Sequence, residues 1–204
     1  PARERELRLL GAGIASLADV PGLLSAHDRP GRLLQVLHLH GNRLASVAGL
    51  HAACPVLERL VLSSNDLRDL EGLSGLGALR ALDVASNCLE GLEGLHGLSA
   101  LEDLSAAHNR IASLTGLLPL RGRASQLRRL DLRDNALAEP GELLLLGGLD
   151  ALGELRLQGH VGQRGNPLCR APGYRTAALR AAPALSWLDE APVAGGERLG
   201  ALRG

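Results

Sequence analysis

A short pattern of leucines followed by an asparagine repeats along this chain and limits the folds that it can adopt. The pattern is L-x-x-L-x-[LVA]-x-x-N-x-[LI], and five copies match it without gaps. They occupy residues 34–44, 57–67, 79–89, 101–111 and 127–137. Their asparagines, separated by 23, 22, 22 and 26 residues, are Asn42, Asn65, Asn87, Asn109 and Asn135. A nearly constant period of this length indicates a solenoid, in which each repeat forms one coil and stacks on its neighbours.

Each position of the pattern has a physical role in such a coil. Apolar and polar residues alternate in Leu37-His38-Leu39, as in a short strand with one buried face. The asparagine that follows can both donate to and accept from backbone groups in the turn, so stacked coils place the amides in a ladder. Four repeats then end in Gly-Leu, where the glycine permits a tight return and the leucine points into the core. These ends are Gly49-Leu50, Gly72-Leu73, Gly94-Leu95 and Gly116-Leu117.

Two degenerate repeats complete the array, which then has about seven coils with one short parallel strand each. The opening repeat spans residues 7–14 and has Ala12 where the asparagine would stand. Residues 20–32 follow it and predict a longer convex segment. In the last repeat, residues 160–165 interrupt the turn before Asn166. The sequence therefore predicts an α/β solenoid whose first and last coils are irregular.

The carboxyl-terminal segment predicts a cap, because an open solenoid end would expose its apolar core. Residues 174–182 predict a short helix, and both aromatic residues of the chain, Tyr174 and Trp187, fall in this part, which suits a lid. We expect residues 190–204 to be frayed or to begin a linker. The predicted domains are a repeat array over 1–168, a helical cap over 169–193 and a tail or linker over 194–204.

Composition and charge argue against several classes of function. The chain carries 22 basic and 22 acidic residues, and no basic run provides the phosphate-binding face typical of nucleic-acid partners. No apolar run approaches the ~20 residues that a membrane-spanning helix needs. The three cysteines are widely spaced and odd in number, which is typical of free thiols in a reducing compartment. We therefore expect a soluble cytoplasmic protein that binds neither nucleic acid nor membrane.

The repeats and the cap resemble those of a known class of proteins. The 22-residue unit ending in Gly-Leu resembles the leucine-rich repeats of the phosphatase-regulator (SDS-type) class, over about residues 7–193. The stretch N-P-L-C-R-A-P-G-Y-R, with the following A-A-L-x-x-x-P-A-L-x-x-L-D, resembles the cap that closes such domains. The resemblance implies a leucine-rich-repeat solenoid, a right-handed superhelix with a helical cap at its carboxyl-terminal end.

A narrower resemblance concerns the T-G-L-L-P-L-R-G insertion at 115–122 and the interrupted last turn. Both are similar to the amino-terminal domain of the leucine-rich-repeat and coiled-coil centrosomal protein family, although no coiled-coil heptads occur in this chain. The resemblance implies a non-enzymatic scaffold at the centrosome, basal body or cilium. It also implies cytoskeletal or centriolar protein partners, and self-association through regions outside this chain. The alternative is a regulatory subunit that docks on an enzyme such as a protein phosphatase.

Three groups of residues could carry chemistry, and for each a simpler explanation is stronger. His38 and His40 share one face of a strand and could offer two zinc ligands, but the neighbouring strand supplies no third. Cys88 lies near His108 in the repeat register, yet nothing indicates a lowered thiol pKa or a third catalytic group. The glycines of 159–165 lack the residues of a phosphate-binding loop and indicate an insertion. The sequence therefore predicts no catalytic residues, no cofactor and no metal.

Function must then come from the surface, and the solenoid geometry predicts that a protein partner binds on the concave face, which the exposed strand positions line. The middle of this face is small and weakly polar, and its carboxyl-terminal third carries charges of both signs. The absence of aromatic anchors predicts modest affinity. The candidate partner-binding residues are Arg8, Val36, His38, His40, Arg59, Val61, Asp83, Asp103, Ser105, Arg129, Asp131, Arg133, Glu154 and Arg156.

Overall fold

The strands form one sheet in the computed structural model, which describes residues 5–20, 22–23, 30–159 and 165–203. In chain order they are β1 Glu6–Arg8, β2 Val36–His38, β3 Arg59–Val61, β4 Ala81–Asp83, β5 Asp103–Ser105, β6 Arg129–Asp131, β7 Glu154–Arg156, β8 Trp187–Leu188 and β9 Ala191–Pro192. Every pairing from β1 to β8 is parallel and joins strands that follow each other in the chain. Such an order requires the chain to return between successive strands, one coil at a time. The predicted α/β solenoid is confirmed.

The register of the sheet is the one that the repeat pattern predicts. One column of paired residues is Glu6, Val36, Arg59, Ala81, Asp103, Arg129 and Glu154. The other is Arg8, His38, Val61, Asp83, Ser105, Asp131 and Arg156. Between the two columns lies the middle residue of each strand, and from Leu37 to Leu155 this leucine is at most 2% exposed. The two columns therefore share the solvent-facing side of the sheet.

Short helices and turns form the side of each coil opposite the sheet. The α-helices are α1 Leu50–Ala53, α2 Tyr174–Ala181 and α3 Gly195–Arg203. Segments of 3-10 helix span Leu17–Asp19, Pro30–Leu33, Thr115–Leu120, Pro140–Leu146 and Pro167–Arg170. Leucines from both sides of the coils meet in one contiguous core that extends along the array. No single coil could bury its own leucines, so each coil depends on its neighbours for stability.

The Gly-Leu ends pack as predicted, although glycine is required there for two different reasons. All four leucines are completely buried. Gly72 and Gly94 have φ angles of 100° and 107°, in the left-handed region that favours glycine. Gly116 lacks a positive φ, but a Cβ atom there would lie 2.2 Å from the carbonyl carbon of Leu92 in the preceding coil. At this repeat the requirement is close approach between coils.

The asparagines form the predicted ladder. The side-chain amide of Asn87 donates to the carbonyl oxygens of Leu62 and Val84, both at 3.0 Å, and its Oδ1 accepts from the backbone N–H of Leu67 at 3.0 Å. Each side chain thereby joins its own coil to the one before it. The same three hydrogen bonds are made by Asn42, Asn65, Asn109, Asn135 and Asn166.

Two irregular segments of the sequence fall partly outside the described residues. They are 160–164, in the interrupted last turn, and 21 with 24–29, in the predicted convex segment. The ladder nevertheless continues across the first of them, because the amide of Asn166 donates to Leu132 at 2.8 Å and to Leu157 at 2.7 Å. Asn166 is therefore the ladder residue of the last repeat.

The cap closes the ladder with a carboxylate. Oδ1 of Asp189 accepts from the backbone N–H groups of Leu157 and Gln158, both at 2.9 Å, where a further coil would have supplied an asparagine. The hydroxyl of Tyr174 donates to Oδ2 of the same carboxylate. Burial, together with this hydrogen bond, raises the pKa of Tyr174. The predicted cap helix is present as α2, and β8 adds an eighth parallel strand to the sheet, which the sequence did not indicate.

The carboxyl-terminal segment differs from the frayed tail expected for residues 190–204. Strand β9 pairs antiparallel with β8, and α3 packs on α2. Arg175 forms an ion pair with Glu197, and Nε of Arg180 donates to the carbonyl oxygen of Ala201 at 2.7 Å. Because α3 contains three glycines, its own sequence favours a helix only weakly, and these contacts from α2 stabilise it.

Truncation of a strand leucine tests the inward register. Leu104→Ala should lower the free energy of unfolding by about 2–5 kcal/mol, because it leaves a cavity between coils. The measurement is urea denaturation followed by circular dichroism. The matched control is Ser105→Ala, whose side chain faces solvent and whose effect should stay within about 0.5 kcal/mol. Equal effects of the two substitutions would contradict the register.

Substitution of a ladder residue tests the role of the asparagines. Asn87→Asp keeps the size of the side chain and its acceptor oxygen but removes both donated hydrogen bonds. It also places a buried carboxylate against the carbonyl oxygens of Leu62 and Val84, which keep only the bonds from Asn65 and Asn109. At neutral pH the free energy of unfolding should fall by at least about 2 kcal/mol in the same denaturation experiment. Cys88→Ala, at the next position, is the control and should have a smaller effect. A fully stable Asn87→Asp protein would show that the ladder is dispensable.

Candidate functional site

The outward-facing strand residues line an open groove. Its volume is about 440 Å³, and it extends across five strands, from β3 to β7. Paired strands lie only about 4.8 Å apart, closer than helical segments can pack, so a stack of such coils is concave on its strand side. The small side chain of Ala81 lies among the lining residues, so the backbone is accessible there to a partner that approaches closely. The groove therefore follows directly from the repeat geometry.

Most of the residues predicted from the sequence lie in this groove. Those that line it are Arg59, Val61, Asp83, Asp103, Ser105, Arg129, Asp131, Glu154 and Arg156. The remaining five lie outside its lining: Arg8, Val36, His38 and His40 on the amino-terminal side, and Arg133 just beyond the end of β6. The role of all fourteen in partner binding stays a prediction, but the structure brings nine of them together on one surface.

The charges in the carboxyl-terminal part of the groove pair with each other. Nη2 of Arg129 lies 2.6 Å from Oδ2 of Asp103 on the adjacent strand, and the hydrogen bond to Asp103 raises the pKa of the Arg129 guanidinium. Nη2 of Arg156 lies 2.6 Å from Oε1 of Glu154. Both arginines are well exposed, so these pairs contribute little to stability. Their main effect is to neutralise the charge that this end presents to solvent.

Arg133 and Asp131 form a similar ion pair at the carboxyl end of β6. Nη2 of Arg133 lies 2.7 Å from Oδ2 of Asp131, and both side chains are less than one-fifth exposed. The hydrogen bond to Asp131 raises the pKa of the Arg133 guanidinium. The Asp131 carboxylate also accepts from the backbone N–H of Arg133 at 3.1 Å. This pair is therefore more rigid than the two exposed pairs beside it.

The amino-terminal end of the groove, on β3 and β4, is different, because its charged side chains do not form ion pairs with each other. Within the described part of the chain, neither Arg59 nor Asp83 forms an ion pair. Among the residues that the structure describes, Oδ1 of Asp83 accepts a hydrogen bond only from the backbone N–H of Ala85, at 3.0 Å. Val61 and Ser105, which flank these positions, are half-buried and short. Two opposite charges, those of Arg59 and Asp83, therefore lie among small side chains without forming an ion pair in the described part of the chain.

The histidine pair at the amino-terminal end has ordinary polar neighbours. Nε2 of His38 lies 3.4 Å from Oε1 of Glu6, and Nδ1 of His40 lies 3.0 Å from Oγ of Ser63. A hydrogen bond from Arg8 is the main cause that lowers the pKa of Glu6. Among the residues that the structure describes, no group of three or more histidine, cysteine or acidic side chains could hold a metal ion.

Two of the three cysteines, Cys54 and Cys169, lack the surroundings of a reactive thiol. Cys54 is completely buried in the core, and this burial raises its pKa to about 11. Burial likewise raises the pKa of Cys169 to about 12. Nδ1 of His108, the base considered for Cys88, lies 3.2 Å from a carboxylate oxygen of Asp134. A thiolate nucleophile requires a lowered pKa, which neither Cys54 nor Cys169 has.

Trp187 is a surface residue that the sequence reasoning assigned to the lid. Strand β8 places it in register with Glu154, in the first column of the strand face, and 38% of it is exposed. Its neighbour Leu188 is completely buried. The signal that could have revealed this strand is the L-x-x-L spacing of Leu185 and Leu188, which matches the start of the five regular repeats and of the last one. The strand face therefore does carry an aromatic side chain, at its carboxyl-terminal end.

Among the described residues, no helix is both long and apolar enough to cross a membrane. The longest, α3, has nine residues, whereas a membrane-spanning helix needs about 20.

Comparison with protein families identifies the repeat. The model of the family described as Leucine rich repeat matches residues 32–89 and 57–111, which include the first four of the five regular repeats. No curated protein matches the chain by sequence.

Solved structures share the fold. An internalin (inlF) from Listeria monocytogenes is 22% identical over 81% of this chain, with a TM-score of 0.62. A leucine-rich-repeat protein from Leptospira interrogans is 25% identical over 79% of the chain, with a TM-score of 0.60. A chain of the Drosophila melanogaster SNF/U2A′ complex is 25% identical over 80% of the chain, with a TM-score of 0.53. The present chain spans 44%, 38% and 76% of these three proteins, respectively.

The family model matches the region in which the ladder asparagines recur every 22 or 23 residues. The solved structures share the fold that these repeats form. The repeats within residues 32–111 therefore match the leucine-rich-repeat family, and the described chain has the fold of a leucine-rich-repeat solenoid.

Proposed function

We propose that this chain is a non-catalytic protein-binding module whose partner docks in the groove between β3 and β7. The observation that carries the proposal is the row of outward-facing residues, from Arg59 to Arg156, that the parallel register brings onto one open surface. Leucine-rich-repeat solenoids generally use such extended concave surfaces to bind other proteins. A single surface crossing five coils suits an elongated protein segment better than a compact small molecule.

The chemistry of the groove supports a protein partner. Its lining contains three arginines and four carboxylates, so it offers no excess positive charge to a nucleic acid. The lining also includes the small residues Ala81 and Ser105 in its middle. Trp187 lies one strand beyond the carboxyl-terminal end of the groove and is half-exposed. Tryptophan is enriched among the residues that dominate binding energy, so it gives the surface an anchor that the groove itself lacks.

The cellular role that we propose is a scaffold at the centrosome, basal body or cilium, in the cytoplasm. Its support is the resemblance of the 115–122 insertion and of the interrupted last turn to the centrosomal family. Partners would then be cytoskeletal or centriolar proteins, and self-association through regions outside this chain would raise the avidity of a modest site. The likeness to a chain of the SNF/U2A′ complex adds that one protein of this fold works within a protein assembly.

Proximity labelling in ciliated cells tests both parts of the proposal. The full-length protein, fused to a biotin ligase, should concentrate in foci at centrioles or ciliary bases and label proteins there. A filled-groove variant, Ala81→Arg with Ser105→Arg, should lose at least one strongly labelled protein. Both substituted side chains face solvent, so the added bulk occupies the groove and leaves the leucine core intact.

The matched control places the same two arginines elsewhere on the surface, as Ala52→Arg with Ala112→Arg. Both of these alanines are exposed and lie outside the strands. Loss of the same labelled proteins in the control, or an unchanged set in the filled-groove variant, would contradict groove binding. If the protein is instead diffuse in the cell, and the proteins that lose labelling in the filled-groove variant are phosphatase subunits, the result would favour the alternative function, a regulatory subunit that docks on an enzyme.

A further inference from the structure

We infer that the groove selects a protein segment that presents an acidic side chain to Arg59 and a basic side chain to Asp83. The inference rests on the proposed function, since it names the chemistry of the partner that docks there. Arg59 lies in the first column on β3 and Asp83 in the second column on the adjacent β4, so they are diagonal neighbours at the amino-terminal end of the groove. From the spacing of strands and of residues along them, their Cα atoms are roughly 8 Å apart.

The other charged lining residues are less available to a partner. Arg129 is held by Asp103, Arg156 by Glu154, and the Asp131 carboxylate by Arg133. A partner that pairs with any of these must first displace an existing ion pair, so it exchanges one charge contact for another. Arg59 and Asp83 form no ion pair among the described residues, so a complementary charge adds a contact without breaking one.

The surroundings of the two charges strengthen their effect on a bound segment. Val61, Ala81 and Ser105 are short, so a partner backbone can approach closely and exclude water from the charged groups. Exclusion of water strengthens charge–charge interactions and penalises a partner that brings a like charge or no charge. The Asp83 carboxylate is also held in place by the N–H of Ala85, 3.0 Å away, which leaves its second oxygen to accept from the partner.

The two opposite charges also give the site a direction. A segment with an acidic residue and then a basic residue can satisfy both only when it lies one way along the groove. A polyanion such as a nucleic acid would be attracted by Arg59 but repelled by Asp83 and by the other three carboxylates of the lining. The chemistry therefore favours a protein segment with a pair of opposite charges.

Peptide display on the folded chain tests the inference. A random library of 16-residue peptides is selected on the wild-type chain, and the enriched peptides are synthesised and titrated by fluorescence anisotropy. They should share an acidic and a basic residue at a constant spacing. Arg59→Gln and Asp83→Asn should each weaken their binding by about fivefold or more, because each removes one charge contact and keeps a polar side chain.

A charge swap gives the sharper result. The variant Arg59→Asp with Asp83→Arg should enrich peptides whose two charges occur in the reverse order. The matched control neutralises an exposed ion pair outside the groove lining, as Arg80→Gln with Glu102→Gln, and should change affinity by no more than about twofold. Thermal unfolding of each variant establishes that the fold is retained.

The outcomes separate this inference from the proposed function. Peptides that lose binding to the filled-groove variant but ignore Arg59→Gln and Asp83→Asn would overturn the inference and leave groove binding in place. Peptides without a common charge pair, or with the same order after the swap, would also overturn it. Two outcomes would overturn the charge-pair inference and the proposed groove binding together. In one, the peptides bind the filled-groove variant as well as the wild-type chain; in the other, selection enriches no peptide for the wild-type chain over that variant.

Discussion

The structure depends on one requirement: every backbone group buried at the turn after a strand must find a hydrogen-bond partner. Water cannot reach these groups, because the leucines of adjacent coils meet beside them. The asparagine amide meets the requirement, with two donated bonds and one accepted bond, as Asn87 does between Leu62, Val84 and Leu67. At the last coil the acceptor is the carboxylate of Asp189, which completes the series in the cap.

The ladder and the leucine core together determine where function can lie. They use the middle residue of each strand and the turn that follows, and they leave the residues on either side of the middle leucine without a structural role. Those side chains face the groove, so their chemistry can differ from coil to coil while the fold stays constant. In this chain they form ion pairs towards Trp187, whereas Arg59 and Asp83, on β3 and β4, form none among the described residues. The surface is therefore chemically uneven along a regular scaffold.

The sequence predicted those features that depend on the repeat period alone. The register of the columns, the ladder and the buried Gly-Leu ends follow from spacing. Features that depend on contacts between distant segments were missed. Helix α3 has a poor helical sequence and is held by Arg175 and Arg180 of α2. Trp187 was assigned to a lid because its strand belongs to no complete repeat. The pairing of Arg129 with Asp103 depends on side-chain conformation, which the register permits but does not determine.

The most direct test of the central claim is site-specific photocrosslinking from the strand face. A photoreactive phenylalanine analogue replaces Ala81 in the full-length protein, and a second protein carries the analogue at Ala112, which is exposed and lies outside the strands and the groove lining. If partners bind in the groove, irradiation in ciliated cells yields a discrete protein adduct from position 81 and none from position 112. Adducts from position 112 alone would place the partner on the other side of the solenoid and contradict the account.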